Sequence, residues 1–222
     1  MNRHLSQTLH ALVLTFVLAL AAPAAWSARP FFTDDARVVD KDHCQIESFY
    51  KDQRTYTGSE FWWLPACNPS FVPMKNGLEI TVGANRIEDE GNGILQAKYL
   101  LKELQTNGYG LAFTVGSFSG QPYANAIASF SFLGDRAVVH TNVGRFNEDG
   151  HTWGVGLEAL LAPPRVYGIL EAFGQRGEAP TYHYGIRFWV IPNRFQIDAT
   201  RGDQGGGDPD RHFYTLGLRF IF

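Results

Sequence analysis

The chain is 222 residues long, 45% hydrophobic and 18% charged, and its formal charge of −3 argues against nucleic acid as a partner, since phosphate backbones select cationic surfaces. Beyond Ala28 no apolar run reaches the ~20 residues of a membrane helix, so residence in a membrane would require a closed sheet. The moderate hydrophobicity does not oppose that, because barrel strands carry apolar residues only at every second position.

Met1 to His10 carries Arg3 and no acid, Ala11 to Ala22 is a short apolar run, and Ala24 to Ala28 offers small residues for cleavage. The pattern predicts a secretory signal peptide over residues 1–28, leaving a mature chain of 222 − 28 = 194 residues. Without Arg3 that chain has 18 basic and 22 acidic residues, a charge of 18 − 22 = −4. Residues 29–43 are polar, start on Arg29-Pro30 and show no period, so they read as a periplasmic N-terminal extension. The run from Arg29-Pro30 through Thr33-Asp34-Asp35-Ala36, followed by Gln45-Ile46-Glu47, resembles the start of outer-membrane transporters grouped under a phenol-degradation (meta-pathway) label. That resemblance implies a transport barrel and uptake of aromatic compounds.

From Cys44 to Phe222, stretches of about ten residues alternate in polarity between Gly, Pro, Asn and Asp punctuation, the period of membrane-spanning strands. Twelve are predicted: 44–55, 60–68, 78–88, 93–103, 109–118, 123–132, 137–147, 151–161, 165–175, 181–191, 194–202 and 212–222. Cys44 and Cys67 flank the first hairpin, in a chain bound for an oxidising compartment, and read as one disulfide; two buried free thiols are the alternative. Neither lies in a CxxC or His-rich spacing suited to redox work or zinc. Tight connections at Leu104–Gly108, Leu133–Asp135, Ala162–Pro164 and Pro192–Asn193 alternate with longer ones at Glu88–Asn92, Glu148–Gly150, Gln175–Pro180 and Gly202–Asp210. Acids gather on the second set, while Lys75, Lys102, Arg136, Arg165 and Arg194 sit at or beside the first. Acidic Asn/Asp/Gly segments make good solvated turns. An acidic outer rim would also bind divalent cations that bridge lipopolysaccharide, or favour cationic solutes.

Parity sorts each strand into a lipid face and a lumen face. It sends Trp153, Val155 and Leu157 outward with Glu158 inward, and Tyr182, Tyr184 and Ile186 outward with His183 and Arg187 inward. The same rule places Glu47, Glu79, Lys98, His140, Glu171, Asp198 and Arg219 in the lumen. Arg187 and Asp198 lie about equally far from the Pro192–Asn193 turn and should oppose each other, with Glu171 diagonal to Arg187. Tyr50, Trp62 or Trp63, Tyr99, Trp153 and Tyr182 suit interfacial girdles. In the last strand Tyr214, Leu216, Leu218, Phe220 and Phe222 share the greasy face. A strand alternating this way and stopping on a terminal aromatic resembles the closing strand of bacterial outer-membrane barrels, where the C-terminal Phe forms part of the assembly signal. A soluble β-sandwich would also alternate, but it explains neither Phe222 nor a charged residue at the centre of many strands.

No nucleophile with its base is evident. In His140-Thr141-Asn142 the neighbouring side chains point to opposite faces, His151 and His183 are isolated, and Gly205-Gly-Gly207 lacks the Lys and helix of a phosphate loop. The reading is an all-β, transmembrane antiparallel β-barrel of about twelve strands over residues 44–222, in the bacterial outer membrane. Its function is that of a channel or passive transporter for small solutes, not an enzyme, with no catalytic, cofactor or metal site. The alternatives are a structural or accessory barrel with a sealed lumen and, third, a lipid-modifying enzyme. The expected partners are outer-membrane lipid and lipopolysaccharide, the barrel assembly machinery, and a small-molecule solute that the sequence does not identify.

Overall fold

In the computed structural model the described residues are 32–53, 58–71, 77–147, 150–205 and 211–222; the expected signal peptide, residues 1–28, lies outside them. Twelve strands follow in order: β1 (Cys44–Gln53), β2 (Gly58–Cys67), β3 (Leu78–Ile87), β4 (Glu90–Lys102), β5 (Tyr109–Phe118), β6 (Gln121–Phe132), β7 (Ala137–Phe146), β8 (Gly150–Ala162), β9 (Val166–Gln175), β10 (Thr181–Ile191), β11 (Phe195–Gln204) and β12 (His212–Ile221). Each pairs antiparallel with its sequence neighbour, and β12 returns to β1 to close a barrel without edges. The seam finishes where both strands meet, with Cys44 and Phe222 exchanging backbone hydrogen bonds of 2.9 Å in each direction. That end, which holds both termini of the barrel, is called the near end below.

Alternation decides which way each side chain points, and here the apolar parity faces out. Leu216 and Ile186 are more than half exposed, whereas Arg187, next to Ile186 on β10, and Asp198 on β11 are fully buried. Such an inversion is stable only where the outer solvent is itself apolar, so the barrel has the surface of a membrane-spanning sheet. No described helix is long and apolar enough to cross a membrane, a result without bearing on strands. Among the girdle candidates Trp63 points outward, but Trp62 shares the inward parity of Leu64 and Ala66.

β2, β4, β6, β8 and β11 reach further toward the far end than the turn residues suggested. Glu88–Asn92, expected as a long loop, is only a two-residue turn at Glu88-Asp89: Glu88 adopts φ 51° and the Arg86 guanidinium donates to both the Glu88 carbonyl and Asp89. Polar residues thus continue the alternation, and β11 likewise extends to Gln204. At the near end, register shifts between Leu100 and Lys102, Leu160 and Ala162, and Trp189 and Ile191 mark bulges as β4, β8 and β10 enter their turns.

Residues 32–43 depart from the sequence reading. They do not hang in the periplasm as an extension but run up inside the barrel as an irregular strap, starting from Asp42, whose amide bonds the Asn68 carbonyl at the near end. Hydrogen bonds from Ser70 hold the exposed Asp42 carboxylate below its usual range. A strap without secondary structure leaves backbone amides unpaired, and the lumen supplies the acceptors. Glu171 accepts from Phe32 (2.9 Å) and Thr33 (2.8 Å), Ser129 from Ala36 (2.9 Å) and Glu79 from Val39 (2.8 Å). Ala36 and Val38 pack on Leu100, Ala112 and Ile127, an apolar patch on the inner wall of β4 to β6. Gly154 on β8 leaves room for the strap, because a Cβ there would stand 2.7 Å from the Thr33 hydroxyl.

Candidate functional site

Every charged residue assigned to the lumen by parity lies on the inner face. Glu47, Glu79, Lys98, His140, Glu158, Glu171, His183, Arg187, Asp198 and Arg219 are all buried. They form separate groups, because the barrel wall spreads them over nine of its strands.

The densest group fills the β8 to β11 sector. Arg187 and Asp198 are direct partners in the β10–β11 register, and the guanidinium Nε donates to Asp198 at 2.9 Å. Its second carboxylate is Glu158, not the expected Glu171. The cause is register: β9 sets Tyr167 opposite Arg187 and Glu171 opposite His183, so Glu171 bonds His183 at 2.7 Å while Arg187 reaches across to β8. Gln196 donates to Asp198 at 2.8 Å, and Tyr167 and Trp189 pack together in the same sector. Ionic groups taken out of water require this density of partners.

A second group ties the strap to the wall. Lys98, opposite Glu79 in the β3–β4 register, donates to Asp34 at 2.8 Å and Asp35 at 3.1 Å. Asn142 both accepts from the Asp34 amide and donates to its carbonyl. Near the seam, Arg219 stands opposite Glu47 with 3.6 Å between Nε and the carboxylate, and a second guanidinium nitrogen bonds Gln45.

Folding also brings together Ser129 and His140, which parity could not associate with a base. The Ser129 hydroxyl lies 2.8 Å from His140 Nδ1, and Glu158 is 3.8 Å from Nε2. The arrangement has the residue types of an acyl-transfer triad, but both Ser129 and His140 are 0% exposed and the hydroxyl already accepts the Ala36 amide. A carbonyl substrate has no room at the oxygen, so these groups serve as an anchor for the strap. Among the described residues no cluster of His, Cys, Asp and Glu is suited to hold a metal ion. The Cys44–Cys67 disulfide closes the first hairpin, whose register sets the two residues directly opposite each other.

The remaining space is a cavity of about 610 Å³ between the strap and the wall. The sequence reading overlooked its aromatic lining. Trp62 stacks on Phe49 at 5.4 Å and on Phe118 at 5.7 Å between ring centroids, Phe146 continues the row at 6.4 Å, and Phe32 of the strap stacks on Phe173 at 4.7 Å. The signal was available in the parity that Phe49 shares with Glu47, and that Phe213 shares with Arg219.

A family model matches residues 16–222. The chain belongs to that family, described as uncharacterised conserved protein UCP029691. No curated protein matches the sequence. Among solved structures, the KdgM porin superposes with a TM-score of 0.60 at 12% identity, covering 80% of this chain and 99% of its own. The NanC porin does so with a TM-score of 0.55 at 8% identity, covering 80% and 98%. A KdgM porin structure in complex with disordered oligogalacturonate gives 0.60 at 11% identity, covering 81% and 99%. These likenesses show the fold, a porin-type closed barrel.

Proposed function

We propose that this chain is an outer-membrane channel through which small solutes diffuse, with the strap of residues 32–43 as its constriction. The observation that carries the reading is the inside-out barrel itself: an apolar outer face, a polar lumen and a cavity of about 610 Å³ within it. In this reading residues 1–28 are the signal peptide, the near end faces the periplasm, and the acidic turns face outward toward lipopolysaccharide. Tyr214, Leu216, Leu218, Phe220 and Phe222 present the greasy face that the assembly machinery would read. The lumen residues hold their charges in pairs and fix the field that a solute crosses. The wall performs no covalent chemistry.

The solute class is open to two supports. KdgM porin has been solved with oligogalacturonate, an anionic sugar. The resemblance of Arg29-Pro30, Thr33–Ala36 and Gln45–Glu47 to transporters of the phenol-degradation group favours aromatic compounds, and that finer assignment rests on those residues alone. A sealed accessory barrel is the second reading, favoured by the full burial of Ala36 and Val39 where the strap crosses the lumen. Swelling of liposomes holding the refolded mature protein separates the two. A channel swells them in small neutral solutes at rates that fall with solute size; liposomes no leakier than protein-free ones would contradict it.

A further inference from the structure

The cavity has a mixed lining. The half-buried rings of Trp62, Phe118, Phe146 and Phe173 stand on β2, β5, β7 and β9, held in place before any solute arrives. The Trp62 indole is fixed by its N–H donating to Glu60 at 3.0 Å and by stacking between Phe49 and Phe118. The strands between them carry neutral hydrogen-bonders: the Tyr123 hydroxyl donates to Gln96 at 2.8 Å, with Asn125 and Thr152 beside it. Tyr123 reaches this position because Gly116 has no side chain; a Cβ there would lie 2.5 Å from the phenol ring. Among the ions of the lining, Lys98 is engaged with Asp34 and Asp35, and Arg219 with Glu47, while Arg37 lies 3.9 Å from Asp35, Glu79 accepts the Val39 amide and Glu178 is exposed.

A wall of pre-set rings interleaved with amides and hydroxyls selects for shape as well as polarity. Rings bind a flat apolar face by dispersion and edge contacts, and the amides between them take up hydroxyls at the solute's rim. A charged solute would compete with the pairs that Lys98 makes with Asp34 and Asp35 and Arg219 makes with Glu47. The volume lies within the ~300–1,000 Å³ typical of small-molecule sites.

We infer that this cavity is a binding site for an uncharged ring compound with one flat apolar face and hydroxyl groups at its edge. The inference deepens the channel reading and rests on it for the solute's route through the membrane. Two sources share this chemistry, a pyranose sugar and a phenolic compound.

Titration calorimetry on the detergent-folded mature protein tests the site separately from transport, with methyl β-glucopyranoside, phenol, sorbitol and galacturonate as probes. Saturable binding of the pyranoside or of phenol, with sorbitol and galacturonate at least about tenfold weaker, is the expected result, and the stronger of the two rings identifies the source. Trp62→Leu and Phe118→Leu, which keep apolar bulk but lose the flat face, should each weaken ring binding by about fivefold to tenfold while the folded band on an unboiled gel persists. Equal binding of sorbitol and the rings, or unchanged affinity in both folded variants, would overturn the site. Liposome swelling without ring binding would sink this inference and leave the channel standing. Ring binding without swelling would support the site and count against the channel.

Discussion

Arg187 shows what a single lumen residue does. It is fully buried and serves Asp198 and Glu158 together, so its removal strands two carboxylates away from water. Arg187→Ala should destabilise the folded barrel by about 3–5 kcal/mol in guanidinium titrations, and adding Asp198→Ala should restore part of that loss. A loss below about 1 kcal/mol would show that water or another cation already compensates the pair. The Arg187–Asp198 opposition could be read from the chain because one tight turn, Pro192–Asn193, sets it. Glu158 as the third member could not, since its place depends on two further registers and on the shear of the closed barrel. The inward aromatics were legible in principle. Phe49 shares the parity of Glu47, but a ring in a membrane barrel is assigned to lipid by default.

At the scale of elements, alternation carried most of the information. The ends of β5 and β10 fall where the periodicity places them, and the ends of the other strands differ by up to three residues in either direction. The strap was illegible because it has no period and its partners are remote: Glu171 lies 139 residues from Phe32, and Ser129 lies 93 from Ala36. Only Gly154 and the inward apolar trio of Leu100, Ala112 and Ile127 hint from the wall that something packs there. The first hairpin, by contrast, has a local lock. Its disulfide joins residues 23 apart, so replacing both cysteines with serine should lower stability by roughly 3 kcal/mol through the freed unfolded chain. Mass spectrometry of the unreduced mature protein should recover the Cys44–Cys67 peptide pair, and two alkylatable thiols would contradict the linkage.

For the whole molecule, the inversion of apolar and polar faces accounts for the fold and underlies the proposed function. The outer belt of leucines, isoleucines and aromatics needs lipid, and the lumen needs water or the strap to satisfy its polar groups. The strap takes up part of the lumen, and its Lys98 clamp and Glu171 cradle hold it against the wall, so in the proposed channel it sets the space left for solute. Conductance in planar bilayers, comparing the mature protein with a form lacking residues 32–41, tests this most directly. Discrete current steps from the mature protein, and larger ones once the strap is removed, are the predicted result; a folded barrel that passes no current in either form would contradict it.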